Sequence, residues 1–348
     1  MSCISLSLLV LIAVVIHCAS AFVPSTPTKH SSLHTPSASN GLLPVTKMST
    51  DSSSFDGAEV KETTRDRFRG RNVLLTGASG GLGRAMAIQL SRMGVGTLIL
   101  SGRDQDALKE VSDECLSLIG NDGAGECPTK VEIIKCDLSK TESVRSLGEE
   151  SLKFCSPGFV DVLINNGGIS SRSSFLETTP EVDELLMQVN FFSGARLAKM
   201  LVPGMVEKGD GSVIWVSSVQ GLVGIPSRTS YAASKFAVQG YCEALRAELA
   251  SSGVTVHVAS PGYIRTNLSK SAIRGDGSKH GQMDETTANG ADPNDVAVTI
   301  LDSSADGMAD FVVASSFSAK AAIWLRLLAP SFLNKMLVKR FDKEKSNS

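Results

Sequence analysis

Histidine and aromatic residues are scarce in this chain of 348 residues, and neither sign of charge dominates it. Beyond the N-terminal 40 residues the only histidines are His257 and His280. A histidine-based metal site or a histidine general base is therefore not expected. The formal net charge of −2 offers no broad cationic surface, so we expect no nucleic-acid partner.

The seven cysteines form no CxxC pair and show no spacing typical of zinc sites. Neither a disulfide framework nor a structural metal is therefore indicated. We expect buried free thiols and no metal ligands.

The leader differs in composition from the rest of the chain. Residues 4–16 form an apolar segment of signal-peptide length, and Ala19-Ser20-Ala21 fits a cleavage site. Residues 22–60 are rich in Ser, Thr and Pro, and the first acidic residue is Asp51. We interpret residues 1–21 as a signal peptide and residues 22–60 as a transit peptide or linker. The alternative is an uncleaved segment that anchors the protein in the endoplasmic reticulum membrane.

The stretch CASAFVPS resembles the junction of the two-part plastid presequences found in algae with secondary plastids. In such presequences a signal peptide precedes a transit peptide that begins with phenylalanine, here Phe22. The resemblance implies import into a plastid.

Beyond residue 70 the sequence alternates short apolar runs with amphipathic stretches. The runs are NVLLT (72–76), TLILS (97–101), VEIIKC (131–136), VDVLIN (160–165), SVIWVS (212–217) and VTVHVA (254–259). Continuous apolar runs are typical of parallel strands that are buried on both faces. The pattern predicts an α/β fold with one Rossmann-type, doubly wound parallel sheet and helices on both faces, over residues 70–315.

A glycine-rich turn follows the first predicted strand. The stretch TGASGGLGRA (76–85) contains Gly77, Gly81 and Gly83 and leads into a predicted helix. Glycines let the backbone approach a pyrophosphate, which then faces the free N–H groups of the helix N-terminus. This turn therefore predicts a dinucleotide cofactor.

The second predicted strand ends in SGRDQD (101–106), without the carboxylate that binds the ribose of NAD. Arg103 stands there instead, and a guanidinium suits the 2′-phosphate of NADP(H). We therefore predict NADP(H), although Asp104 could partly neutralise Arg103.

Tyr231 and Lys235, in YAASK, lie four residues apart and share a face if the segment is helical. An ammonium about 4 Å from a phenolate stabilises it by about 4 kcal/mol at an effective dielectric constant near 20. The pair would then lower the pKa of Tyr231 from about 10 towards neutrality. Tyr231 is accordingly predicted to exchange a proton with a substrate oxygen.

These motifs, together with NNGG (165–168) and PGYIRT (261–266), resemble those of the short-chain dehydrogenase/reductase family. The resemblance implies a catalytic tetrad of Asn190, Ser218, Tyr231 and Lys235. In it Ser218 polarises the carbonyl, Lys235 holds the nicotinamide ribose and Asn190 supports a proton-relaying water. The implied cofactor-binding positions are Thr76, Gly77, Ser79, Gly81, Leu82, Gly83, Arg103, Asp137, Leu138, Asn165, Gly167, Tyr231, Lys235, Pro261, Gly262 and Thr266.

Within that family, NNGGISSRSSF and FLNKMLVKRF resemble the branch of members 7 and 7B. The branch implies a small hydrophobic carbonyl or alcohol substrate, such as a retinoid or steroid, and association with membranes. The alternatives are a plastid 3-ketoacyl-type reductase and a catalytically silent nucleotide-binding scaffold.

Two further segments bear on the substrate and on partners. Residues 263–292 are polar and glycine-rich, as expected of a lid. Residues 316–348 form a basic amphipathic extension that packs as a pocket wall or dimer contact, or lies on a membrane surface. We also expect a homo-oligomer.

Overall fold

The computed structural model describes residues 59–118, 129–155, 158–314 and 317–346. The strands are β1 (Asn72–Thr76), β2 (Thr97–Gly102), β3 (Lys130–Lys135), β4 (Val162–Asn165), β5 (Gly211–Val216), β6 (Val254–Pro261) and β7 (Asp310–Val313). They form one parallel sheet in the order β3-β2-β1-β4-β5-β6-β7. The strand order reverses between β1 and β4, and ligands bind at such switch points. The predicted α/β class and doubly wound parallel sheet are confirmed.

Helices follow most strands and cover both faces of the sheet. They are α1 (Glu62–Phe68), α2 (Gly81–Arg92), α3 (Gln105–Ser117), α4 (Thr141–Phe154), α5 (Pro180–Met187), α6 (Ser193–Lys208), α7 (Thr229–Glu248), α8 (Glu285–Ala288), α9 (Pro293–Ala305), α10 (Phe317–Leu328) and α11 (Pro330–Ser346). A π-helical turn, Gln188–Phe192, joins α5 to α6. Within the described ranges, no helix has the length and hydropathy needed to cross a membrane.

The strands are apolar along their whole length because both of their faces are buried. In β1, Val73 and Leu75 pack against α2, α3 and α9 on one face of the sheet. Leu74 packs against α4, α6 and α7 on the other face. The period of two along a strand thus sends neighbouring apolar residues into separate cores.

The sequence did not predict α1 and β7. Phe68, on α1, is 2% exposed and packs into the core. The hydroxyl of Thr64 donates to Asp302 Oδ1 at 2.6 Å, which fixes α1 against α9. Strand β7 pairs with β6 at the edge of the sheet. The folded unit therefore includes residues N-terminal to position 70.

The four cysteines in the described ranges, Cys115, Cys136, Cys155 and Cys242, are buried free thiols, as predicted. Burial raises the pKa of Cys115, Cys155 and Cys242 to about 12, so these thiols are unreactive at neutral pH.

The predicted lid and the predicted extension both contact the body of the fold. Ile264 pairs with Ala291 within the lid, and Ile273 joins the lid to the body by pairing with Ser171, which follows β4. In the extension, the Arg326 guanidinium lies 4.7 Å from the centre of the Phe236 ring. The lid therefore lies at the carboxyl end of the parallel strands.

Candidate active site

The glycine-rich turn joins β1 to α2 at the switch point. Gly77 has a φ of +66°, which favours glycine. A Cβ on Gly83 would lie 2.0 Å from the Gly77 carbonyl oxygen, so only glycine fits there. The turn therefore brings bare backbone and the N-terminus of α2 to the cleft, an arrangement that holds phosphate groups.

Arg103 follows β2 and lines the same cleft. The neighbouring Asp104 forms no ion pair with it: the Asp104 carboxylate caps α3 and accepts from the N–H groups of Asp106 and Ala107, both at 3.1 Å. Arg103 forms no ion pair with any residue in the described ranges. Its guanidinium is therefore available to an anion in the cleft.

Asp137 and Leu138 follow β3 and line the cleft, where Leu138 lies against Gly167. Burial acts to raise the pKa of Asp137, but hydrogen bonds from Ser139 and the charge of Arg103 lower it overall. A Cβ on Gly167 would lie 2.5 Å from Leu138 Cδ1, so alanine there would require the flexible end of Leu138 to move. Glycine at position 167 thus leaves room for Leu138.

The predicted catalytic residues meet where β5 and α7 approach each other. Ser218, Tyr231 and Lys235 are 7%, 6% and 5% exposed. Lys235 Nζ donates to the Val216 carbonyl oxygen at 3.0 Å and lies 5.8 Å from the centre of the Tyr231 ring. Tyr231 and Lys235 share the inner face of α7, as predicted from their spacing.

The predicted lowering of the Tyr231 pKa is wrong. Burial raises this pKa, while the nearby hydroxyl of Ser218 and the charges of Arg172 and Arg228 act in the opposite direction without reversing it. Lys235 is not among these causes, and burial lowers its own pKa to about 8. At neutral pH Tyr231 is therefore a neutral phenol beside a buried ammonium.

Asn190 lies in the π-helical turn, behind the cleft and not in its lining. Its side-chain amide pairs with both backbone groups of Ile169, at 2.8 and 2.9 Å, and donates to Ser234 Oγ at 2.9 Å. Ser234 Oγ in turn donates to the Tyr231 carbonyl oxygen at 2.7 Å. Asn190 thus connects the segment after β4 to the helix that carries Tyr231.

The other predicted site residues converge on one cleft with a volume of about 840 Å³. The predicted residues in its lining are Thr76, Gly77, Ser79, Gly81, Leu82, Gly83, Arg103, Asp137, Leu138, Gly167, Ser218, Tyr231, Lys235, Pro261, Gly262 and Thr266. Asn165 is not among them, because its side chain points towards Gly194 on α6. The neighbouring Asn166 lines the cleft instead and donates to the Thr76 and Gly77 carbonyl oxygens at 3.0 and 3.2 Å.

Sequence reasoning missed several residues that position the site. Ser234 lies inside YAASK, where a hydroxyl three residues after Tyr231 was the available indication. Gln239, one turn after Lys235, donates to Ser217 Oγ at 3.1 Å and to Ser260 Oγ at 2.9 Å. It thereby ties α7 to the ends of β5 and β6, and no local motif indicates this role.

Known structures share this fold. A metagenomic short-chain oxidoreductase in complex with NADP is 24% identical, with a TM-score of 0.57, and the likeness covers 72% of this chain and 99% of that one. A short chain dehydrogenase/reductase from Burkholderia phymatum in complex with NAD is 23% identical, with a TM-score of 0.64, over 76% and 95% of the two chains. At these identities the likeness concerns the fold alone.

Curated relatives are more similar in sequence. Dehydrogenase/reductase SDR family member 7B of Danio rerio is 43% identical over 281 residues, which cover 80% of this chain and 88% of the relative. The protein of the same name from Bos taurus is 40% identical over 283 residues, which cover 81% and 85%.

These relatives contradict the predicted location. They are animal proteins, and animal cells have no plastids, so the prediction of plastid import is wrong. The signal-peptide and transit-peptide predictions, residues 1–21 and 22–60, fall almost entirely outside the described residues, which begin at 59.

The family profile of the short chain dehydrogenases matches residues 71–276, which include the glycine-rich turn and YAASK. Together with relatives of about 40% identity over four fifths of the chain, this match establishes the family. The protein belongs to the short-chain dehydrogenase/reductase family of oxidoreductases, in the branch of members 7 and 7B.

Proposed function

We propose that the protein uses NADP(H) to interconvert a carbonyl and an alcohol on a small hydrophobic substrate, with Tyr231 as the acid and base. The observation that carries the proposal is the cleft shared by the glycine-rich turn and by Ser218, Tyr231 and Lys235. A nucleotide-binding scaffold without catalysis would not need a buried tyrosine and a buried lysine at the end of its nucleotide site.

The raised pKa of Tyr231 suits the direction of reduction. A neutral phenol donates its proton to the carbonyl oxygen as that oxygen gains charge. The Ser218 hydroxyl beside it donates a second hydrogen bond to the same oxygen. Lys235, held by the Val216 carbonyl, keeps positive charge close to the phenolate that proton transfer leaves behind.

The residues at the nucleotide end fit a phosphorylated dinucleotide. When bound, NADP(H) supplies or accepts the hydride. Gly77 and Gly83 leave room for a pyrophosphate at the start of α2. Arg103, without an ion-pair partner in the described ranges, supports NADP(H) over NAD(H).

NADPH oxidation by the purified full chain tests the function. The substrates are hydrophobic ketones and aldehydes of increasing size, including a retinal and a ketosteroid. Oxidation that depends on the carbonyl compound supports the proposal. Cofactor binding without turnover of any compound, in either direction, would contradict it and favour a silent scaffold.

Arg103→Ala is expected to raise the KM for NADPH by about 10- to 100-fold, since a charge-assisted hydrogen bond contributes about 1.5–3 kcal/mol. The KM for NADH should change less than about threefold, because NADH lacks the 2′-phosphate. Steady-state kinetics with both cofactors measures the two effects.

Arg84→Ala is the matched control. Arg84 directly follows Gly83 on α2, lies outside the cleft lining and is paired with Glu114. Its loss should leave the ratio of the two KM values unchanged. An equal rise for both cofactors in Arg103→Ala would refute a role for Arg103 in reading the phosphate.

We further propose that the C-terminal extension associates with a membrane surface. Large apolar side chains lie exposed on α10 and α11: Trp324, Leu327, Leu328, Phe332, Met336 and Val338, here called the tail surface. The exposed Lys335 and Lys339 accompany them. Apolar residues beside lysines suit a surface of anionic lipid.

Replacing both Leu327 and Leu328 with Ser is expected to weaken binding of the full chain to anionic vesicles at least about tenfold, because each buried leucine contributes about 1.5–3 kcal/mol. Co-sedimentation with phosphatidylserine-containing vesicles measures the loss. Leu176→Ser, which changes a leucine that is 91% exposed outside the tail surface, is the control. Equal binding by all three proteins would count against the tail surface.

The homo-oligomer stays a prediction. Sedimentation velocity of the full chain would measure its oligomeric state.

A further inference from the structure

The cleft beyond Tyr231 is less apolar than a hydrophobic substrate requires. Arg172, which follows β4, and Tyr263, which follows β6, both line it. Arg228 lies outside the lining, three residues before Tyr231 and immediately before α7 begins. The three side chains come from three separate connections at the carboxyl end of the parallel strands.

Arg172 is held in place by other residues. Its Nε donates to Asp284 Oδ2 at 2.8 Å, and its Nη1 donates to Ser170 Oγ at 2.8 Å and to the Ser171 carbonyl oxygen at 2.7 Å. The guanidinium therefore has a defined orientation in the wall of the cleft.

Arg228 lacks such partners. Its side chain is 7% exposed, and its Nη2 lies 3.6 Å from Asp284 Oδ2, too far for a hydrogen bond. Its Nε is buried and has no hydrogen-bond partner among the residues that the structure describes. Burial is the main cause that lowers the pKa of this guanidinium, and the nearby charge of Arg172 lowers it further.

Tyr263 has a second unmet hydrogen-bonding group. Its hydroxyl is buried, and no described residue forms a hydrogen bond with it. Tyr263 lies within electrostatic range of both Arg228 and Tyr231. Two donors without partners in the described ranges thus occur within electrostatic range of each other and near the predicted acid.

The charges in this region do not balance. The Asp284 carboxylate forms ion pairs with both Arg172 and Arg228, and it also lies 3.5 Å from His280 Nε2. Even with His280 neutral, the group carries a surplus positive charge. A buried cation that is only partly paired is costly, and an anionic group from a ligand would offset that cost.

We propose that Arg172, Arg228 and Tyr263 form a subsite for an anionic group, a carboxylate or a phosphate, on the substrate. The proposal rests on the proposed function and narrows its substrate class. The substrate is then amphipathic: its carbonyl faces Tyr231 and Ser218, and its anionic group binds Arg172 and Tyr263, which line the cleft. Arg228 lies outside that lining and adds positive charge to the subsite.

The test compares three sets of ketones with matched chains: saturated oxo acids of increasing length, their methyl esters and the corresponding oxoalkyl phosphates. With NADPH and the full chain, kcat/KM is expected to favour an anionic compound over its ester at least about tenfold. Whether the acid or the phosphate ranks first identifies the anion.

Two variants connect this preference to the subsite. Arg228→Met removes the under-paired cation. Tyr263→Phe removes only a hydroxyl, so this variant should fold and still test the subsite even if Arg228→Met fails to fold. Each should lower the preference for the anion over the ester at least about fivefold. Arg274→Met, which removes an exposed lid arginine outside the cleft lining, should keep it.

Calorimetric titration of the same compounds with NADP⁺ present measures the preference without turnover. Equal binding of acids, phosphates and esters by the wild type would overturn the subsite. Selective binding of anions with no reduction of any compound would instead contradict the proposed function and leave the subsite standing.

Discussion

Replacing Tyr231 with Phe is expected to lower kcat for carbonyl reduction by about 100- to 10,000-fold, the usual contribution of a positioned acid. The change removes one hydroxyl and keeps the ring, which packs against Val182, Leu186 and Ile273. Fold and cofactor affinity should therefore survive. Steady-state NADPH oxidation measures the loss, and fluorescence titration with NADPH measures the affinity.

Tyr241→Phe is the matched control on the same helix. The Tyr241 ring packs against Phe191 and Trp215, away from the cleft lining. Its activity should stay within about threefold of the wild type, as expected for a change outside the reacting groups. If Tyr231→Phe retained more than about a tenth of the wild-type rate, Tyr231 would not be the acid.

Lys235→Met is expected to abolish most activity and yet to stabilise the fold at pH 7. Burial lowers the pKa of Lys235 from 10.5 to about 8. Between these values the unfolded chain binds more protons than the folded protein, so stability rises with pH there. At pH 7 the buried ammonium destabilises the fold by about 3 kcal/mol.

Methionine removes that charge and also the hydrogen bond to Val216, so the net gain should be about 1–2 kcal/mol. Urea unfolding at pH 7 measures it, and the advantage should shrink towards about pH 10. In the wild type, kcat/KM should fall as pH rises through about 8, because Lys235 loses its charge there. Two results together would contradict this account: Lys235→Met unfolding at lower urea than the wild type, and a wild-type kcat/KM that stays constant up to about pH 9.5. They would show that burial does not destabilise the Lys235 ammonium.

The strands of the sheet were predictable because burial on both faces leaves a local pattern. NVLLT is recognisable as a strand because Val73 and Leu74 pack into the two cores on opposite faces of the sheet. Strand β7 gave a weaker pattern, because at the edge of the sheet Val312 and Val313 are only half-buried. Helix α1 is mostly charged and relies on Phe68, which no periodicity distinguishes.

The nucleotide end was predictable for a related reason: its glycines and Arg103 stand within short, contiguous motifs. The sequence could not decide between Asn165 and Asn166, because the answer depends on where β4 ends and which face each residue takes. The pKa of Tyr231 was misjudged because its burial arises from residues distant in sequence. Arg172 and Asp284 are 112 positions apart, so no motif links them.

The π-helical turn at Gln188–Phe192 makes this part of the chain sensitive to length. Such a turn accommodates one residue more than an α-helix would. Deleting one residue there would remove the bulge and leave a continuous α-helix in which α5 and α6 keep their phase. Val182 and Leu186 would then stay against the Tyr231 ring, whereas the turn itself would move and Asn190 would lose Ile169. A single-residue deletion here should therefore spare the fold and still separate the segment after β4 from the helix that carries Tyr231, so the extra residue of the turn is itself part of the active site.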